Sequence, residues 1–201
     1  MIKGAGPAGA ALALLGLALV SAPAAADGIL VVFENPAAGA VAVKGAAMDD
    51  EMAKQGALEV DSAEFGVENA LVIDPQEGAT GPGRPDFLPL KLELPLGPGV
   101  PGLMQTSGAG GHYGDVTVHF RTSGKQPVDY ATLALKLVAV TSVEVAAATD
   151  NPPRAEIALT YGSMKFDVYP MDAKGAVATT PETGQWNVMT GTADFATVPK
   201  P

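Results

Sequence analysis

The side chains able to act on a substrate are few in this sequence, and they gather between residues 107 and 119. His112, Asp115 and His119 supply two imidazoles and a carboxylate in one short stretch. A zinc site built on these residues needs a third or fourth ligand and, for catalysis, an open position. The spacing argues against convergence. Asp115 and His119 share the polar face of a strand, whereas His112 lies in the glycine-rich approach to it, so the set reads first as a solvated or subunit-facing surface. A metal-dependent hydrolase using these three residues is the rival reading. Ser107 stands in Ser107-Gly108-Ala109-Gly110 and not in the strand-turn-helix elbow that exposes a hydrolase nucleophile. The run Gly108-Ala109-Gly110-Gly111 lacks the Gly-Lys-Ser/Thr ending of a phosphate loop.

The remaining candidates are acidic or aromatic. Asp49-Asp50-Glu51 are consecutive, which spreads three carboxylates around a turn, and neither a hinge glycine nor a distal glutamate completes a calcium loop; they read as a solvated loop. Glu156 and Asp167 are read onto different strands, with no spacing that assigns acid and base roles. Trp186, the one tryptophan, reads as a buried anchor. The absence of cysteine excludes thiol nucleophiles and cysteine metal sites. No catalytic residue, metal or cofactor is assigned.

The elements that must position these residues are strands. Asp115-Val116-Thr117-Val118-His119-Phe120-Arg121 alternates without error, as a half-buried strand requires, with Val116, Val118 and Phe120 inward. From Tyr130 to Val145, Ala131, Leu133, Leu135 and Leu137 share one face. Gly124 to Pro127 supplies the turn of a hairpin between these runs. Asp150-Asn151-Pro152-Pro153 interrupts the ladder. Ile157, Leu159 and Tyr161 then hold one parity and Met164, Phe166 and Val168 the other, so a kink at Gly162-Ser163 is expected. Asp172 to Gly175 is a turn. Leu58 and Val60, with Phe65 and Val67, mark a further strand pair, followed by Ala70 to Ile73. Two stretches rich in Gly and Pro, Pro75 to Pro85 and Gly97 to Gly111, read as long loops. The sum is a mainly β chain, an antiparallel barrel or sandwich with little helix.

Composition narrows the partners. With 22 acidic against 12 basic residues, a net charge of −10 repels nucleic-acid phosphates. Aromatics at 5% leave little for a base-stacking surface or an aromatic sugar cleft. Residues 1–26 have the order of a signal peptide: Lys3, the apolar run Ala8 to Val20, and a small-residue end, with Ala24 and Ala26 satisfying the cleavage pattern. Cleavage near Ala26 would leave residues 27–201 as a single domain, periplasmic or extracellular. No second apolar stretch approaches membrane length, so stable membrane insertion is not expected.

The ordered series Gly114-Asp115-Val116-Thr117-Val118-His119-Phe120-Arg121, Tyr130-Ala131-Thr132-Leu133-Ala134-Leu135 and Glu156-Ile157-Ala158-Leu159-Thr160-Tyr161 resembles the haemolysin-coregulated protein family, Hcp, the tube proteins of type VI secretion. The likeness continues through Phe166-Asp167-Val168-Tyr169-Pro170-Met171-Asp172-Ala173-Lys174-Gly175 and ends with Gly184-Gln185-Trp186. Upstream, Val43-Lys44-Gly45 with Asp49-Asp50, Leu58-Glu59-Val60 and Phe65-Gly66-Val67 is similar to the family's first strands and extended loop.

The resemblance implies a compact β-barrel with a short helix, self-association as a hexameric ring whose stacked copies form a tube, and carriage of secreted effectors or other proteins without catalysis. It also implies that the loop from Val43 to Lys54 contributes to contacts between subunits or rings, with Val43, Lys44, Asp49, Asp50, Glu51 and Lys54 as its candidate residues. Two features depart from the family's pattern. One is the leader-like segment. The other is the stretch from Leu94 to Gly111, the family's helix region, where Pro95, Pro98 and Pro101 are expected to degrade the helix. Beside the structural reading stand two alternatives, a secreted monomeric binding module and the metal-dependent hydrolase.

Overall fold

A computed structural model describes residues 28–37, 39–69, 73–74, 78–79, 85–123, 126–173 and 175–196. The leader-like segment therefore lies outside the described residues, as do Ala70 to Val72, the turn residues Gly124 and Lys125, and most of Pro75 to Pro85. The chain runs β1 (Gly28–Pro36), α1 (Asp50–Lys54), β2 (Leu58–Val60), β3 (Ser62–Glu64), β4 (Val67–Glu68), β5 (Ile73–Asp74), β6 (Gly78–Ala79) and β7 (Asp86–Phe87). It continues through β8 (Leu90–Pro95), α2 (Val100–Ala109), β9 (His112–Arg121), β10 (Asp129–Ala148), β11 (Asn151–Val168) and β12 (Glu182–Asn187). The architecture is mainly β, as expected.

One antiparallel sheet dominates, in the order β2-β1-β9-β10-β11-β8-β3, with β12 also paired to β11. Its two end strands, β2 and β3, are separated in sequence by Asp61 alone. The Asp61 N–H donates to the Glu93 carbonyl at 2.7 Å, and its carboxylate takes the Arg154 guanidinium. The chain thereby curls the sheet into a nearly closed barrel, which leaves few open edges. Leu58 and Phe65 do not mark a mutual pair, because β2 pairs with β1 and β3 with β8, and Val67 is 57% exposed.

Alternation fills the interior. Val116 and Val118 of β9, Leu133 and Leu135 of β10, and Ile157 and Leu159 of β11 are buried in one cluster, with Phe120 packed at its margin. Leu137 departs from its predicted face: it is 45% exposed and adopts φ 52°, while Val138 and Val140 take the buried positions. The reversal is shared across neighbouring strands. At one level of the sheet, Glu34-Asn35, Gly114-Asp115, Lys136-Leu137 and Gly162-Ser163 each place two successive residues on the outer face, and the inward parity then changes.

Asn35, like Leu137, has φ 52°. Asn tolerates the left-handed region, whereas for Leu it costs about 1–2 kcal/mol. Gly114 faces Asn35, and Gly162 lies against Leu137. Each left-handed residue is thus matched by a neighbour without a Cβ. The kink expected at Gly162-Ser163 is present, and it is one part of a crease across β1, β9, β10 and β11.

Three further expectations are corrected. β11 begins at Asn151 and runs through both prolines, so Glu156 and Asp167 lie on the same strand. The prolines are tolerated because they sit exposed at the hairpin end, where Pro153 still accepts from the Leu96 N–H at 3.0 Å. Gly97 to Gly111 is not a loop but contains the ten-residue α2. Pro101 stands in its first turn, where a missing N–H costs nothing, and Gly110 closes it at φ 65°. Val100, Leu103 and Thr106 recur every third residue and are buried. The Thr106 hydroxyl contacts the Tyr113 hydroxyl at 3.1 Å, and that phenol donates to the Val41 carbonyl at 2.7 Å, so the helix has a polar seat.

β1 lies outside the strands that alternation marks. Ile29 to Phe33 is a continuous apolar run, which is the pattern of a strand covered on both faces and lacks the alternating signal.

The crease predicts an asymmetry between glycines. A Cβ at Gly114 would lie 2.9 Å from the Asn35 Cβ, whereas Gly184 has open space around it. Gly114→Ala should cost about 1–3 kcal/mol by overpacking, and Gly184→Ala should change stability little. Urea unfolding of the two variants checks this, and equal midpoints would remove the crease as a constraint.

Candidate subunit-contact site

The segment from Val43 to Lys54 is a cover on the outside of β1, held from beneath. The cover includes a short helix, α1, where three successive acids suggested a solvated loop. Asp49 is its N-cap: one carboxylate oxygen accepts from the N–H groups of Glu51 and Met52, each at 3.0 Å. Asp50 and Glu51 in the first turn and Lys54 in the last complement the helix dipole.

Met52 is buried with Leu30, Val32, Ala47 and Ala57 in a second apolar cluster. Leu30 and Val32 belong to the face of β1 turned away from the main core. The base of the cover is sewn by the Gly45 N–H donating to the Gly56 carbonyl at 2.9 Å. A side chain at Gly45 would collide with the Ala57 carbonyl.

Beneath α1 lies a polar cluster that spacing in sequence did not reveal. Arg121, at the end of β9, is 6% exposed. Its Nη2 donates to the Pro127 carbonyl at 3.0 Å and to Glu51 at 3.3 Å. Its Nη1 stands 3.8 Å from Asp49, and its Nε 3.4 Å from Asp129. The other Asp129 oxygen meets His119 Nδ1 at 2.9 Å. One cation is therefore ringed by three carboxylates from two elements. A cavity of about 290 Å³ opens beside it, lined among others by Gly28, Leu30, Asp49, Glu59 and Arg121.

The residues singled out in the sequence divide accordingly. Lys44, Asp50 and Lys54 are exposed, the Glu51 side chain is 73% exposed, and Asp49 is half-buried at the cap. Val43 lies in the main core and offers no surface. His112, Asp115 and His119 are not brought together: Asp115 accepts from the Asn35 amide at 2.7 Å, while His119 turns to Asp129. Among the described residues, no three His, Cys, Asp or Glu side chains are placed to share a metal ion. Trp186 is a half-buried anchor stacked on Phe87, with ring centroids 6.2 Å apart. Also among the described residues, no helix is long and apolar enough to cross a membrane.

The family model described as type VI secretion system effector, Hcp, matches residues 34–168. The chain belongs to the Hcp family. That span holds the cover, the crease and both long strands. Its fold is similar to that of a type six secretion system protein, with a TM-score of 0.72 and 16% identity over 82% of this chain and 98% of the other. It is also similar to Hcp1 from Salmonella typhimurium, with a TM-score of 0.62 and 15% identity over 82% and 96% of the two chains. A type VI secretion system effector from Yersinia pestis gives 0.55 and 16% over 79% and 98%. No curated protein matches the sequence.

The cap carries a pH dependence of definite sign. The Met52 N–H holds the Asp49 carboxyl below its ordinary 3.8; burial opposes this, and the Arg121 charge and the Glu51 N–H reinforce it. A depressed carboxyl stabilises the fold above its unfolded value and loses that contribution as pH falls through the folded one. Amide protection in α1 should therefore persist above pH 3.8 and fade on the acid side of it. Asp49→Ala should weaken the helix by about 1 kcal/mol at neutral pH. Hydrogen exchange across residues 47–57 reads both effects.

Proposed function

We propose that this Hcp-family protein is an exported, non-enzymatic structural protein. It associates with copies of itself, as a ring or a stack of rings, and presents that assembly to a secreted effector or another protein. The observation that carries this reading is the family match over residues 34–168 on a nearly closed barrel. The disposition of the polar residues supports it. His119, Asp129, Arg121 and Asp49 are engaged with one another, and Asp115 with Asn35. Lys44, Asp50, Glu51 and Lys54 lie on the outside of the cover, where a neighbouring subunit would meet them; Asp49 serves as their brace.

Export is the second half of the proposal. Its support is the order of residues 1–26, a lone lysine, an apolar centre and a small-residue end. Delivery to the periplasm or beyond follows from that order. A chain without cysteine loses nothing in an oxidising compartment, since no thiol awaits pairing.

Two measurements test the halves separately. Light scattering and electron microscopy of the purified chain should show a closed ring or filaments; a strict monomer at high concentration would overturn self-association. Intact-mass analysis of protein recovered from the periplasm or medium should give a chain starting at Asp27, and recovery of the full-length chain from the cytoplasm alone would overturn export.

A further inference from the structure

We infer that Arg121 is the positioning residue of the contact segment, a latch that fixes the cover onto the barrel wall in one orientation. The inference rests on the reading of Val43 to Lys54 as a contact surface, but the latch itself is a property of this chain alone. Helix α1, five residues long, cannot hold its shape unaided, because isolated helices shorter than about 12 residues are marginal in water. Its apolar hold on β1 is a single side chain, Met52, on Leu30 and Val32. Such a contact resists lifting but does little to fix rotation.

Rotation is fixed by charge. Nη2 of the guanidinium hydrogen-bonds Glu51 in the first turn and the Pro127 carbonyl, while Nη1 and Nε stand within ion-pair distance of Asp49 at the cap and Asp129 at the start of β10. His119 orients Asp129 from behind. A planar fork can serve these acceptors together, and an ammonium cannot.

The excess of carboxylates gives the latch its sign. With Arg121 in place, α1 and β10 are drawn to a common cation. Without it, Asp49 and Glu51 would face Asp129 across the same gap, and like charges would push the cover away. A buried ion cluster is weak evidence for stability, yet removing one partner leaves the rest uncompensated. The effect of losing Arg121 should therefore fall on the cover more than on the barrel, whose strands are paired and packed independently of it.

Hydrogen exchange on the full chain tests this. In Arg121→Met, amides of residues 47–57 should exchange at least about tenfold faster while β10 and β11 keep their protection, the pattern of a local opening. Arg121→Lys should not restore protection. Adding Glu51→Gln and Asp129→Asn to Arg121→Met should restore part of it, because the repulsion is then gone, which a merely space-filling role would not produce. Unchanged protection of 47–57 in Arg121→Met overturns the latch.

Should Arg121→Met fail to fold, Glu51→Gln alone decides: this exposed side chain cannot unfold the barrel, so faster exchange in α1 supports the latch and no change overturns it. Light scattering on the same variants keeps the two readings apart. A loosened cover with association intact leaves the latch standing and removes Val43 to Lys54 as the contact surface. A cover that stays protected removes the latch, whatever the association state.

Discussion

The barrel depends on four strands reversing their inward face at the same level. A strand that reversed alone would place its apolar residues outside on one side of the reversal, since alternation has a period of two. Here the reversals are in register: Asn35, Gly114, Leu137 and Gly162 form a row across β1, β9, β10 and β11. Tyr113 with Val138 and Tyr161 on one side of the row, and Val116 with Leu135 and Met164 on the other, then all contribute to one core. The left-handed φ at Leu137 is a strained conformation for a γ-branched residue. It is retained because neighbouring strands over-determine it. C-terminal residues cover part of the outer side of the row, with Met189 beside Gly162 and the Ala196 carbonyl accepting from Ser163.

The crease was legible in the sequence only where it left a mark in hydrophobic parity. Ile157, Leu159 and Tyr161 against Met164 and Phe166 revealed it in β11, because both sets are long and apolar. In β10 the same reversal was hidden, since Leu137 is apolar and continues the odd series although it faces out. Asn35 and Gly114 carried little parity signal, because each has a long apolar series on one side only: beyond Asn35 the strand ends at Pro36, and before Gly114 it holds only His112 and Tyr113. A glycine or asparagine in a run of β-branched residues is ambiguous until the strand across from it is known.

The other misreadings share a cause: a local signal was judged without its neighbour. Pro101 weakens a helix interior but suits a first turn, and which applies depends on where the helix begins. Three acids in a row look solvated until an arginine 70 positions beyond Glu51 is found against that side chain and within ion-pair reach of Asp49. The sequence distance between Glu51 and Arg121, and the absence of any spacing rule for a buried ion cluster, kept the site's polar floor out of reach. The exposed residues of the segment carried no chemical signal of their own: Lys44 and Asp50 were singled out through the family's ordered motifs, and Lys54 as the end of the loop that those motifs imply.

The cover and the crease are linked through β1. In most half-buried strands the apolar pattern sets the register, since a slip of one residue exchanges core and solvent faces. Between Ile29 and Phe33 that discrimination is lost: Ile29, Val31 and Phe33 serve the main core, Leu30 and Val32 serve the cover, and the two sets are of similar size and polarity. Register must then come from the ends of the strand. At one end, Asn35 takes its left-handed turn against Gly114 and donates to Asp115. At the other, Gly28 stands opposite Arg121, the residue that reaches under the cover. Fixing β1 at its two ends places Leu30 and Val32, these place Met52, and Met52 presents the first turn of α1 to the guanidinium. The placement of the cover is thus set by the register that fills the barrel, and its orientation by the guanidinium that meets its first turn.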